Sequence, residues 1–80
     1  MARKKNEMKA KEPVKLRFKK LSNANQSIYL DIYYKGKRYY EFLKLYLTPE
    51  RFPEDRDKNR ITLRLANSIK AQRIIDLQND

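Results

Sequence analysis

Ser27-Ile28-Tyr29-Leu30-Asp31-Ile32-Tyr33-Tyr34, followed by Lys35-Gly36-Lys37, is the stretch that decides the fold. Ile28, Leu30, Ile32 and Tyr34 fall on one side of an extended chain, and Tyr29, Asp31 and Tyr33 on the other. That period of two marks a strand with one buried face. Gly36 is the single glycine of the chain. It takes positive φ at the lowest cost, so a tight hairpin is expected there.

Upstream, Val14, Leu16 and Phe18 alternate with Lys15, Arg17 and Lys19. This predicts a half-buried strand over about 14–21, apolar side inward and basic side outward. The polar cluster Ser22 to Gln26 supplies a turn, and the second strand covers about 27–34. Downstream, Arg38 to Leu47 predicts a third strand over about 38–46. Its register is open at this level. An odd-numbered loop places Tyr40 and Phe42 beside Leu30 and Ile32 and sends Tyr39 and Glu41 outward. A two-residue loop flips this and sets Glu41 against the core face. The odd-numbered loop is preferred because it keeps Glu41 out of the core. Leu43 and Leu45 then call for a bulge, a bend or cover from a helix.

Thr48-Pro49-Glu50 resembles a helix start, which Pro53 is expected to stop after one turn, leaving a charged loop through Asp57. From Lys58 the sequence runs to Asn79 without Gly or Pro. It predicts one helix over about 58–79, capped by Asp57 or Asn59. Ile61, Leu65, Ala66, Ile69 and Leu77 form the stripe expected to cover the sheet, with Leu63, Ile74 and Ile75 outside it. The fold class is therefore α+β, a three-stranded antiparallel sheet packed against one C-terminal helix, with residues 1–13 as a flexible basic arm and 14–80 as the domain.

The formal charge of +10 is large for 80 residues. Residues 1–13 hold five Lys/Arg against two Glu, residues 14–47 eight against two, and residues 48–80 seven against six, so the excess lies in the first 47. Such a field attracts a polyanion. The chain has no Cys and no His. The usual ligands of a zinc site and the usual general base are both missing, and a single glycine makes no phosphate loop. Glu50, Glu54, Asp55 and Asp57 are read as a solvated turn rather than a divalent-metal site. No catalytic residue, cofactor or metal is expected, nor a signal peptide or a membrane span.

The outward face then carries Lys15, Arg17, Lys19, Tyr29, Asp31, Tyr33, Tyr39 and Glu41, with Lys35, Lys37 and Arg38 at the hairpin end. Long cations around flat aromatic rings suit phosphate contacts, base-edge hydrogen bonds and thymine methyl groups. Arg17 is the first candidate for reading a base, since arginine grips guanine through two hydrogen bonds. Lys19, Lys35 and Lys37 suit backbone oxygens. Asp31 and Glu41 orient neighbouring cations or accept from a cytosine amine. The rival functions are an RNA-binding or ribosome-associated basic module and a protein-interaction domain.

Lys15 through Glu50, with Ser27 to Tyr33, Gly36-Lys37-Arg38 and Leu45-Tyr46-Leu47-Thr48-Pro49 as its most specific pieces, and then Asn59 to Arg73, resembles the N-terminal arm-type DNA-binding domain of tyrosine recombinases, the integrases of Bacteroides-type conjugative transposons and related mobile elements. The likeness runs from about Val14 to Leu77. It implies a three-stranded sheet on a C-terminal helix and the binding of double-stranded DNA at arm-type repeats, with the sheet in the major groove. It also implies core-binding and catalytic domains elsewhere in the same protein and a cytoplasmic, nucleoid-associated bacterial location. The isolated fragment is expected to be monomeric.

Overall fold

A computed structural model of the chain describes residues 12–79. Strand β1 spans Val14–Lys20, β2 spans Gln26–Tyr34, β3 spans Lys37–Leu47, and helix α1 spans Pro53–Gln78. The strands form an antiparallel meander in the order β1-β2-β3, and α1 touches all three. This is the α+β arrangement expected from the alternation. The arm expected over residues 1–13 lies outside the described residues as far as residue 11. Among the described residues no helix is long and apolar enough to cross a membrane.

The pairing of β1 with β2 sets Val14 opposite Ile32, Leu16 opposite Leu30 and Phe18 opposite Ile28. Every apolar residue of β1 therefore meets an apolar residue of β2 on one face, and burial of that face holds the register. The ladder extends one step beyond β1, where the Tyr33 N–H donates to the Pro13 carbonyl at 2.8 Å. The intervening turn closes through Leu21 N–H to the Asn25 carbonyl at 2.9 Å and Asn25 N–H to Asn23 Oδ1 at 3.1 Å.

The second hairpin corrects the preferred register. Tyr34 pairs with Lys37, so only Lys35 and Gly36 form the turn. Their φ values of 51° and 78° are both positive, as in the type I′ turn whose twist matches that of the flanking strands. With two loop residues, Tyr39 lies opposite Ile32 and Glu41 opposite Leu30 on the helix side, while Tyr40 and Phe42 turn outward beside Asp31 and Tyr29. Tyr39 and Glu41 thus leave the outer face to which the odd-numbered loop assigned them. The third strand also carries an insertion. Tyr29 pairs with Phe42 but Ile28 pairs with Leu45, which leaves Leu43 and Lys44 as extra residues, with Lys44 at φ 59°. Inserting two residues rather than one preserves the alternation, so Leu45 and Leu47 remain on the helix side and Tyr46 on the outer side.

The helix begins five residues earlier than Lys58. Pro53 does not stop a helix but opens one, because a first-turn residue has no intrahelical use for its N–H. Phe52 is the extended cap residue. The Asp55 carboxylate, at the third helical position, reaches back to accept from both the Phe52 and Arg51 N–H groups at 3.1 Å, so the start is secured by Asp55 and neither Asp57 nor Asn59 is the cap residue. Asn59 is buried and serves the linker instead. Its Oδ1 accepts from the Thr48 N–H at 3.0 Å, and its Nδ2 donates to the Thr48 carbonyl at 2.8 Å and to Glu50 at 3.1 Å. Thr48-Pro49-Glu50 is therefore non-helical backbone pinned to the first turns of α1.

The face that α1 packs against the sheet differs from the predicted stripe. Asn59 and Ala66 are buried, and Thr62, Leu63, Ile69, Lys70, Arg73, Ile74 and Leu77 are half-buried. Ile61 and Leu65 are exposed by 63% and 50%, so they leave the packing face while Leu63 and Ile74 join it. The contact is mixed in character, which is why apolar spacing alone missed its phase. Arg73 clamps Glu41 with Nε at 2.8 Å and a terminal nitrogen at 2.6 Å. Lys70 lies 3.4 Å from Glu12, and the Tyr34 hydroxyl donates to the Leu77 carbonyl at 3.4 Å. Between sheet and helix, Val14, Ile28, Leu30 and Ala66 have no exposed surface.

Candidate nucleic-acid interface

Because α1 covers one side of the sheet, the opposite side is presented to solvent as rows set by the strand registers. Lys15, Asp31 and Tyr40 form one row, Arg17, Tyr29 and Phe42 the next, and Lys19, Ser27 and Tyr46 the third, with Tyr33 and Arg38 paired toward the hairpin. Read down the strands, the β1 column is cationic, and the β3 column is aromatic apart from Arg38 at its hairpin end. Tyr29 stands between them, stacked on Phe42 with ring centroids 4.8 Å apart and edge-on to Tyr40 at 6.0 Å. Tyr40 and Phe42 remain 58% and 51% exposed.

Asp31 is the electrostatic centre of this face. Its side chain is 7% exposed, yet it is paired on both sides. Arg17 donates from Nε to Oδ2 at 2.7 Å, and Arg38 Nε lies 3.5 Å from Oδ1. A carboxylate so shielded persists because cations satisfy it. The hydrogen bond to Asp31 also raises the Arg17 pKa above its ordinary value. Arg38 has a second support, its guanidinium carbon 5.6 Å above the Tyr33 ring centroid.

Six of the predicted residues, Lys15, Arg17, Lys19, Tyr29, Asp31 and Tyr33, therefore share the outer face, and Arg38 joins them from the hairpin. Lys35 sits in the turn with its amine 5.2 Å from the Tyr34 ring centroid. Lys37 pairs with Tyr34, whose hydroxyl reaches the helix, so Lys37 stands at the hairpin tip on the helix side rather than on the outer face. Tyr39 and Glu41 are not brought to this face. Glu41 is instead held by Arg73, whose hydrogen bond lowers the Glu41 pKa from its ordinary value. Tyr40, Phe42 and Tyr46 take the places that sequence reasoning missed. Their signal was cross-strand: in the two-residue register Tyr40 and Phe42 fall beside Tyr29, where aromatic pairs stabilise a sheet.

Among the described residues no cluster of three or more acidic side chains is placed to hold a metal ion. Asp55 caps the helix, Glu50 serves Asn59, and Asp57 pairs with Arg60 at 2.9 Å. The face sets cations at the β1 margin and aromatic surface at the β3 margin, with the guanidinium groups of Arg17 and Arg38 turned toward Asp31 on the central strand.

The model of a family described as Arm DNA-binding domain matches residues 14–80. The chain belongs to this family. As an Arm DNA-binding domain it binds DNA, and the whole of the sheet and helix described above falls within the matched residues. No curated protein and no solved structure matches the chain.

Proposed function

We propose that the chain binds duplex DNA sequence-specifically by laying the outer face of β1–β3 in the major groove. In doing so it positions a tyrosine site-specific recombinase on arm-type sites during integration or excision of a mobile element. The observation that carries this proposal is the chemistry of the rows: Lys15, Arg17 and Lys19 on one strand and aromatic side chains on the far strand, with α1 packed on the opposite side of the sheet. Three strands spaced about 4.8 Å apart make a ribbon roughly 10 Å across between its outer backbones. A major groove about 12 Å wide accepts such a ribbon. Lys15 and Lys19 reach phosphates, Arg17 reads a base edge, and Tyr40 and Phe42 lie against thymine methyl groups. Lys35 and Lys37 serve the backbone from the hairpin. The chain works tethered to core-binding and catalytic domains of the same bacterial protein, at the nucleoid, and is monomeric and non-catalytic by itself.

The test compares a duplex bearing short direct repeats with a scrambled duplex and with single-stranded RNA across a salt series, alongside chemical-shift mapping. Affinity for the preferred duplex should fall steeply with salt, and Lys19→Ala should reduce the log–log slope by about 0.9. Shifts should concentrate on β1–β3. Equal affinity for all three polymers, or a response confined to α1, would overturn the proposal, and a preference for the RNA would favour the rival function.

A further inference from the structure

Toward the hairpin end of the outer face, Lys15, Arg17, Asp31, Tyr33, Arg38 and Glu12 surround a concavity of about 290 Å³. Three cations suggest an anion site at first sight. The carboxylates weaken that reading, since Asp31 already draws on both arginines and Glu12, shared with Lys70, adds a second negative charge at the rim. The edge of a base pair is different. It carries partial charges of both signs and pays no such penalty.

The way the arginines are held sharpens this. Both approach Asp31 through Nε, Arg17 by a 2.7 Å hydrogen bond to Oδ2 and Arg38 by a looser ion pair, 3.5 Å from Oδ1, with the Tyr33 ring as its second support. A guanidinium anchored by Nε still has terminal nitrogens with N–H groups to spend, and paired donors of this kind match O6 and N7 of guanine. The side chains of Arg17 and Arg38 are 48% and 54% exposed, so they are reachable although anchored. Pre-ordering removes rotamer entropy that a free arginine would lose on binding.

Resting on the sheet-in-groove reading above, we propose that Arg17 and Arg38, fastened by Asp31, form a two-armed reader of guanine in duplex DNA, with Asp31 as its positioning residue. The two guanidinium groups flank a single carboxylate. They therefore address guanines on adjacent or next-but-one base pairs, at about 3.4 Å per step.

The probe is a duplex enriched from a random-sequence pool by the full 80-residue chain, then resynthesised with 7-deazaguanine, which lacks the N7 acceptor, at each guanine in turn. Replacement at two closely spaced guanines should each weaken binding by about 10-fold. Arg17→Lys and Arg38→Lys keep the charge but lose the fork, and each should abolish the dependence on one of those guanines. Asp31→Asn removes a negative charge, so charge alone predicts tighter binding to every duplex; loss of guanine discrimination together with that tightening supports the positioning role. Thermal denaturation of each variant separates misfolding from loss of reading, and the 7-deazaguanine series needs no variant. An enriched duplex that shifts the outer-face resonances but ignores every 7-deazaguanine overturns the reader and leaves the sheet-face proposal standing. A duplex that leaves those resonances unmoved overturns both.

Discussion

Glu41 shows how one residue's position follows from its neighbours. In the sequence it looks like an outward-facing acid of an amphipathic strand; the two-residue turn at Lys35-Gly36 sends it inward, and Arg73 makes that placement tolerable by gripping both carboxylate oxygens. Alternation within β3 was legible, but its phase was not. The phase is set by whether a lysine at φ 51° is accepted in the turn, and lysine carries no preference for that conformation. The folded-state pKa of Glu41 is lowered, chiefly by its hydrogen bond from Arg73. The stabilisation is thus complete above the ordinary glutamate pKa and disappears as pH falls through the depressed folded value. Both side chains are about one-third exposed, so solvent screens the pair, and its loss costs about 0.5–1 kcal/mol. Glu41→Gln should be less stable than the parent near pH 7 by that amount, and the gap should close in denaturant titrations repeated at progressively acidic pH. A gap independent of pH would assign the effect to packing.

At the scale of elements, β1 and β2 were readable because a single physical demand, burial of one face, governs every residue along them. The helix was harder. Its apolar residues point in two directions, and Asn59, Lys70 and Arg73 on the packing face are polar groups with partners on the linker, the N-terminal flank and β3. Hydrophobic spacing finds a helix docked by oil, not one docked partly by hydrogen bonds and ion pairs. Pro53 was misread for a related reason, since proline ends a helix from within but favours its first turn. The cap supplied by Asp55 is local and separable. Asp55→Ala leaves the Arg51 and Phe52 N–H groups without their acceptor and should lower stability by about 1 kcal/mol, measured by denaturant melts followed by circular dichroism. Binding to DNA should be unchanged below the melting range, because α1 lies on the far side of the sheet.

For the molecule as a whole, the large side chains with no exposed surface among the described residues are Val14, Ile28 and Leu30, so the core is thin for its burden. A domain of this size has only several kcal/mol of stability in total, at about 0.05–0.15 kcal/mol per residue. Truncating one core residue should consume much of it: Leu30→Ala is expected to cost about 2–5 kcal/mol and to shift the denaturant midpoint sharply toward zero. The candidate site was legible in outline for the same reason the strands were. The outer residues of β1 and β2 follow directly once the inner ones are assigned, whereas the outer residues of β3 depend on the turn. Tyr40, Phe42 and Tyr46 were lost with that register, and so was the convergence of Arg17 and Arg38 on Asp31. The division between faces has an optical consequence. The chain has six tyrosines and no tryptophan, and Tyr29, Tyr33, Tyr40 and Tyr46 all stand on the side away from the helix. Ultraviolet emission from the unlabelled protein arises largely from the surface proposed to enter the groove, unmasked by any indole, so the molecule carries a fluorescent gauge of its own encounter with DNA.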